Sequence, residues 1–371
     1  MTERALAAGR EALTANDPVA AEGHFRAVLA AVPGQLTALH GLGKALHDQA
    51  RFGEAIAAFE AAAATGQDAA RGRYHAGLLR LLRGEFAEGW AGWEERAAVI
   101  GFPRLGSPLW DGQPLPGGRL LILAEQGFGD VIQFLRFLPE AAARSAARVT
   151  FGCAPELTPL VQPVCAAQGI ECVTGRIATE GYAAAAWIGS LPRLLGVAPD
   201  GFAPRIPYLE APAAAAAAWR RRRPSTLRCL GVVWEGRADH PQDHQRSLPP
   251  ALLAPLTARP GTLLVGLQRP PVRRAPPAAV AMDWGPDMRE FSAAAAMLAG
   301  LDGLVTVDTA MAHLAGALGL PAVVLLPFVP DWRWGLGTER TPWYPTLRLA
   351  RQAAPGDWDS AIQAALRLLA T

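Results

Sequence analysis

Residues 305–319 read VTVDTAMAHLAGALG, and the reading of this stretch decides the fold. Leu304, Val305 and Val307 have the β-branched and aliphatic character of a buried strand, which turns directly into a helix. Asp308 is the expected N-cap, and Gly319 with Pro321 the stop. Met311, Leu314, Ala315 and Leu318 fall at i, i+3, i+4 and i+7, so one helical face packs inward. Thr309 and His313 are four apart and therefore neighbours on the other face, and Gly316 leaves room for something to lie against the helix. The unpaired N–H groups of the first turn are a natural seat for a phosphate. A carboxylate aimed at an anion would repel it, so Asp308 is assigned to the cap or to a sugar or ribose hydroxyl. Thr309, the amides and His313 are left to face the phosphate. A capped helix carrying a buried, hydrogen-bonded histidine is the plainer alternative on these residues alone.

Working outward, strand and helix patterns alternate as a parallel sheet demands. Cys229 to Trp234 is a buried strand that opens this second α/β unit, followed by Leu263 to Leu267, which ends in Gln268, by Val280 to Asp283, and by Ala322 to Leu326. Between Trp234 and Pro249 lies a polar segment too long for a simple turn, with His240, His244, Arg237 and Arg246. Long polar loops at strand ends are where ligands are gripped, and Arg246 can fork to two oxygens of a diphosphate. Pro241 argues against a helical metal pair from His240 and His244. The aromatic cluster after Leu326, containing Asp331 and Trp332, leaves the same sheet edge as Asp308. Tryptophans there can stack on a base or sugar, or seal two domains together. Phe291 to Leu301 is expected to be helical. Trp358 to Ala370 is an amphipathic helix expected to cross back to the first α/β domain.

Upstream, Leu120 to Ala124 reads as a strand that runs into Glu125, Gln126, Gly127, Phe128, Gly129 and Asp130, and then into a helix from Val131 to about Arg144. A dinucleotide fingerprint would need a third glycine where Ile132 stands, so a nicotinamide-binding domain is set aside. Asp130 lies in the first helical turn at the carboxyl end of a strand, where open α/β sheets place working residues, and the glycines before it let a ligand approach. A structural cap is the competing role for Asp130. Further strands are expected at Arg148 to Gly152, Glu171 to Val173 and Ala184 to Gly189, with helices at Pro155 to Gln168 and Leu191 to Leu195. The four arginines Arg220 to Arg223 end an alanine-rich helix and complement its dipole; they are read as solvated rather than as a nucleic-acid site.

The first hundred residues repeat. An offset of 34 stacks Gly9 on Gly43 and Gly77, Ala21 on Ala55 and Gly89, and Phe25 on Phe59 and Trp93. That period and those residues resemble the tetratricopeptide repeat, paired antiparallel helices with small residues at the crossings and an aromatic between them. Such arrays usually grip a peptide or partner, and Arg71, Tyr74, His75 and His40 are expected to face that groove. The totals fit a folded globular chain, with 371 residues, 51% hydrophobic content and a net charge of +2, without global bias toward nucleic acid. No apolar run reaches bilayer length and no signal core is evident at the start, so a cytoplasmic location without a transmembrane segment is expected. Cys153, Cys165, Cys172 and Cys229 show no ligand spacing and are read as ordinary thiols.

Taken together, Gly129-Asp130 after the first strand, the run Arg246 to Pro249, and Asp308, Thr309 and His313 with Leu314, Ala315, Gly319 and Pro321 resemble family 9 glycosyltransferases, the heptosyltransferase group. The whole chain is similar to bacterial proteins that join tetratricopeptide repeats to such a domain. Arg246 stands where heptosyltransferases usually have lysine. The resemblance implies helical repeats over 1–100 followed by a GT-B architecture of two Rossmann-like domains, an acceptor-side domain over 101–223 and a nucleotide-sugar domain over 224–371. It further implies an inverting transfer to a hydroxyl, with Asp130 as general base. The donor would be held by Asp308, Thr309, His313 and Arg246, with Trp234, Gln268, Asp331 and Trp332 as further donor-pocket residues and Glu125, Gln126, Gly127 and Gly129 as the acceptor-side loop. No metal or other cofactor is expected, because cationic and amide donors can neutralise the leaving group. The acceptor implied is a protein selected by the repeats, such as flagellin. The alternative is an inactive transferase-fold scaffold that uses the repeats for protein contacts.

Overall fold

The computed structural model describes residues 2–197, 206–240, 242–258 and 260–370. The chain divides into two compact units, Met1–Arg104 with Val329–Gly337, and Leu105–Phe328 with Thr338–Thr371.

The first unit is helical: α1 Thr2–Thr14, α2 Pro18–Ala31, α3 Leu36–Asp48, α4 Phe52–Ala64, α5 Ala69–Leu82, α6 Phe86–Trp93 and α7 Arg96–Ile100. Successive helices pack on one another as hairpins, and the residues that repeat every 34 positions are those at the crossings. A Cβ at Gly9 would lie 2.7 Å from the Phe25 ring, and one at Gly43 would lie 2.6 Å from the Phe59 ring. At the third crossing Gly77 meets Gly92, backbone against backbone, beside the buried Trp93. The array is completed by residues from far along the chain. Trp332 sits 5.4 Å edge-on from both Trp90 and Trp93, with the Arg333 guanidinium 4.3 Å over its ring and Asp331 paired to Arg333 at 2.8 Å. Asp331 and Trp332, expected in the donor pocket, are thus placed in the helical unit. Burying a tryptophan against two others explains this position, because each ring removes a large apolar area from water.

Inside the array, His40, Phe59, His75 and Tyr74 form a run of neighbouring rings. Both His40 nitrogens are buried without a hydrogen-bond partner among the described residues. Burial first, and the Arg71 charge second, push the His75 imidazole down to about 4, and the same two causes lower His40. Both rings are therefore neutral when folded and take up protons more readily when unfolded. The stability that depends on their neutrality is whole above the unfolded value near 6.5 and is lost as pH falls toward 4. Helical unfolding followed by circular dichroism should show His75→Phe flattening this loss by on the order of 2 kcal/mol between pH 6.5 and 4. An unchanged slope would show that His75 is not the group responsible.

The second unit holds two parallel sheets. The first contains β1 Arg119–Leu123, β2 Arg148–Gly152, β3 Glu171–Val173 and β4 Ala184–Trp187, in the order β3-β2-β1-β4. Its helices are α8 Phe128–Phe134, α9 Leu138–Ser145, α10 Thr158–Ala167 and α11 Leu191–Leu195. The single helix expected from Val131 to Arg144 is broken by a 3-10 turn at Leu135–Phe137, because Pro139 cannot donate to the preceding turn. Then come α12 Ala213–Arg221, β5 Arg228–Val233, α13 Asp243–Arg246, β6 Thr262–Gly266, β7 Val280–Asp283, α14 Phe291–Ala299, β8 Gly303–Val307, α15 Ala310–Ala317, β9 Ala322–Leu326, β10 Leu347–Arg351 and α16 Trp358–Ala370. The second sheet runs β10-β9-β8-β5-β6-β7.

Strand β10 was not expected from the sequence; its alternation of leucine with arginine is short and follows Pro345 closely. Helix α16 does not cross back to the first sheet's domain as expected. Its Trp358, Ala361, Ile362 and Ala365 share a core with Leu230, Val232, Val305, Val307, Val323 and Leu325 of β5, β8 and β9. The arginines at the end of α12 and just past it are more than solvated charges: Arg223 forks onto Asp302 at 2.7 and 2.8 Å, Arg222 pairs with Asp287 at 3.1 Å, and Arg220 donates to the Ala299 carbonyl.

In both sheets the strand order reverses direction beside the first strand, between β1 and β4 and between β5 and β8. Loops leaving the carboxyl ends of those strands diverge, and ligands of open α/β sheets bind in the opening they create. The register aligns the ends of β5 and β8, with Val233 opposite Thr306, so Trp234 and Asp308 emerge at the same edge.

Candidate active site

The turn after β1 is held tightly. Gln126 is in the left-handed region at φ 60°, and Asp130, third residue of α8, accepts the Gly127 N–H through Oδ2 at 2.9 Å. Asp130 therefore does cap its helix, as the competing role required, while remaining half-buried rather than enclosed. Glu125, expected to line the acceptor side, is turned inward. Its Oε1 accepts the Gly189 N–H at 3.0 Å, fastening the turn to the end of β4 across the reversal of strand order.

This turn rests on the start of α15. A Cβ at Gly129 would lie 2.9 Å from His313 Cδ2, 3.4 Å from Ala310 Cα and 3.6 Å from His313 Nε2, so only glycine permits the approach. The elements bearing Asp130 and His313 thus meet. The cap of α15 is Thr309 and not Asp308. Thr309 has the extended backbone of a cap, φ −145° and ψ 172°, and its hydroxyl accepts the Met311 N–H at 3.3 Å. Asp308 stands one residue earlier, half-buried at the end of β8.

The expectation of an open face on this helix is corrected. Met311 to Ala317 are all buried, His313 is 4% exposed, and the niche at Gly316 is filled by Tyr344, whose ring a Cβ there would overlap. The Tyr344 hydroxyl meets His313 Nδ1 at 3.0 Å. Helix α15 is enclosed because the α8 turn covers one side and its own sheet another.

The segment after β5 forms the other part. Trp234 is wholly buried, donating from Nε1 to the Arg274 carbonyl at 3.3 Å. The Gln268 carboxamide accepts the N–H groups of Trp234 and Glu235 at 3.2 and 3.1 Å and returns a bond to the Glu235 carbonyl. Both side chains expected to line the donor pocket are spent in holding the strand end. Arg246 is different. Its side chain is 16% exposed and lies across Gly236, where a Cβ would be 2.7 Å from Nε and Nη2. The nearest carboxylate oxygen, Asp243 Oδ1, is 3.7 Å away, and the buried Nε has no hydrogen-bond partner among the described residues. Asp243 is itself fixed, accepting from Ser247 Oγ at 2.9 Å and pairing with Arg273 at 2.6 Å.

Sequence reasoning missed Tyr344, Arg136, Asp243 and Arg273. Arg136 donates to the carbonyls of Gln133 and Trp343 and to the Tyr208 hydroxyl, with its guanidinium within 4.6–5.5 Å of the rings of Tyr344, Tyr208 and Trp343. The one signal available was Gly316, which announced a neighbour without naming it. Among the described residues no group of three or more histidine, cysteine, aspartate or glutamate side chains is disposed to hold a metal ion, and no helix is long and apolar enough to cross a membrane.

Comparison with known proteins gives several similarities. No family model matches the chain. Protein FlbA of Caulobacter vibrioides is 28% identical over 325 residues, which cover 79% of this chain and 54% of FlbA, so the chain spans about half the length of that curated relative. Among solved structures, a glycosyl transferase of family 9 from Veillonella parvula is similar over 70% of this chain and 99% of its own, with 14% identity and a TM-score of 0.44. The ADP-heptose lipopolysaccharide heptosyltransferase II of E. coli is similar over 68% of this chain and 100% of its own, with 13% identity and a TM-score of 0.44. An O-GlcNAc transferase of Thermobaculum terrenum is similar over 99% of this chain and 89% of its own, with 14% identity and a TM-score of 0.30.

Proposed function

We propose that the chain is an inverting, metal-independent glycosyltransferase that moves a sugar from a nucleotide-sugar donor to a hydroxyl of a protein acceptor. The observation that carries this reading is Arg246, a largely buried guanidinium in the segment that leaves the carboxyl end of β5, whose buried Nε makes no hydrogen bond among the described residues. Leaving such donors unsatisfied is costly unless an anion completes them, and a diphosphate matches the fork. The motif resemblance to family 9 and the meeting of the Asp130 turn with helix α15 support the same reading.

Residues 101–223 are assigned to the acceptor and residues 224–371 to the donor. Asp130 takes the proton of the acceptor hydroxyl as that oxygen forms its bond to the anomeric carbon on the face opposite the diphosphate. The carbon–oxygen bond to the leaving phosphate breaks, its electron pair stays on the phosphate, and Arg246, His313 and the Thr309 end of α15 receive the charge. The helical unit selects the acceptor, with flagellin as a candidate.

The scaffold reading keeps one observation in its favour, the occupied niche beside Gly316. Both are tested by adding UDP-, GDP-, ADP- and CMP-sugars to the purified protein in a thermal-shift assay, then weighing intact co-expressed partners for added hexose or heptose. A rise in melting temperature with one nucleotide class and a mass increase on a partner are expected. Binding without transfer to any partner would favour the scaffold, and no binding at all would end the transferase reading.

A further inference from the structure

The loop that leaves the carboxyl end of β6 is fastened to the exit of β5 at two consecutive residues. Arg273 donates its backbone N–H to Glu235 Oε1 at 2.8 Å, and the Arg274 carbonyl accepts the Trp234 indole N–H at 3.3 Å. Strands β5 and β6 are parallel neighbours, so both exits lie at the sheet edge from which the Arg246 segment also leaves. The root of the Arg273 side chain is therefore fixed, while the side chain is 41% exposed against 16% for Arg246.

The two arginines share their surroundings. Arg246 lies across Gly236, and Arg273 Nη2 donates to the carbonyl of the same glycine at 3.3 Å. Asp243 turns Oδ1 toward Arg246 Nε at 3.7 Å and Oδ2 toward Arg273 Nη2 at 2.6 Å, and Glu235 Oε2 is 3.7 Å from that same Nη2. Both carboxylates are buried, and Glu235 Oε2 and Asp243 Oδ2 accept no hydrogen bond among the described residues, so the Arg273 ion pairs are what balances them. The Arg273 head makes its hydrogen bond from Nη2, and among the described residues none leaves Nε or Nη1. A counter-ion alone needs only a point charge. A guanidinium holds its donors rigidly in one plane, so fixing Nη2 also sets where the Nε and Nη1 protons point.

We propose that Arg273 is a second binding residue for the diphosphate of the donor: Nη2 stays on the buried carboxylates, and Nε and Nη1 donate to a phosphate oxygen beside those that Arg246 takes. The assignment rests on the transferase reading of this edge and extends it to a residue on a different loop. Glu235 and Asp243 act through Arg273 by holding its head in place before the anion arrives, so that less side-chain freedom is lost on binding. The charge-assisted hydrogen bonds that result are of the strong kind.

Calorimetric titration of the full chain with inorganic pyrophosphate and with ADP, GDP, UDP and CDP is the test. Arg273→Lys keeps a positive charge beside Asp243 and Glu235, so its melting temperature should stay close to that of the unaltered protein. A single ammonium cannot remain on the carboxylates and also reach a phosphate, so pyrophosphate and the nucleoside diphosphate that binds should both weaken about tenfold. Arg273→Gln removes the charge as well; it should weaken binding at least as much and also lower the melting temperature, because the buried carboxylates lose their ion pairs. Diphosphate binding by Arg273→Lys equal to that of the unaltered protein would overturn the assignment and leave the transferase reading standing. Weakening that comes only with a large fall in the melting temperature of Arg273→Lys would also overturn it, by making Arg273 a support of the loop. Weakened binding without loss of stability, in a chain that transfers sugar to no acceptor, would uphold Arg273 as a diphosphate ligand and end only the transfer. An unaltered protein that binds none of these diphosphates would end both.

Discussion

Asp130→Asn should lower sugar transfer by about 10²–10⁴-fold, the range over which a positioned general base contributes, while leaving donor affinity within about twofold. The substitution is chosen because the carboxylate has two duties that can be separated. One oxygen caps the turn by accepting the Gly127 N–H, and an asparagine carbonyl can continue to do so. Only the asparagine's inability to take a proton then distinguishes the variant. Asp130→Ala loses the cap as well and should cost about 1 kcal/mol of stability in addition. Turnover against a mass-detected acceptor, read alongside melting temperature, separates the two. Full transfer by Asp130→Asn would show that another group takes the proton, even with the transferase class correct.

Arg246→Met is expected to move stability and binding in opposite directions. In the unliganded protein the guanidinium is mostly buried, and among the described residues its Nε lacks a hydrogen bond and its ion pair with Asp243 is long at 3.7 Å, so an apolar chain of similar length should leave the fold as stable or more so. Asp243 keeps its partners, Ser247 and Arg273, in the variant. Nucleoside diphosphate binding should nevertheless weaken about 10- to 100-fold, because hydrogen bonds between charged groups contribute roughly 1.5–3 kcal/mol. Arg246→Lys should recover part of that loss, since it restores a point charge without the fork. Calorimetric titration with the diphosphate and with the bare nucleoside gives the check. Equal weakening of both ligands would mean that Arg246 supports the loop rather than the phosphates.

The two predictions draw on residues that were legible to different degrees. Asp130 and His313 could be picked out because each lies where a strand pattern turns into a helix pattern, a local feature with a known chemical use. Their meeting was implied by the family resemblance and not by the residues themselves, since it depends on Gly129 of one lobe fitting against α15 of the other, more than 180 positions apart in sequence. The cap was misplaced by one residue because aspartate and threonine both cap well; the backbone dihedrals chose Thr309. Trp234 and Gln268 were expected near a ligand because they end strands. The structure uses them to satisfy backbone and indole groups at those ends, a demand that residue type alone does not reveal.

Short-range periodicity alone carried the 34-residue helical repeat, the alternation of strands with helices, and the presence of a strand-to-helix turn after β1 and after β8. These follow from side-chain spacing along one segment, and a segment carries its own spacing. The tertiary structure alone decided that Trp332 completes the helical array and that Tyr344 takes the niche at Gly316. It also decided that Arg246 is withdrawn from solvent with no hydrogen bond from Nε among the described residues. Each of these concerns which distant side chain occupies a given volume, and that is settled by close packing among elements that the chain brings together only when it folds.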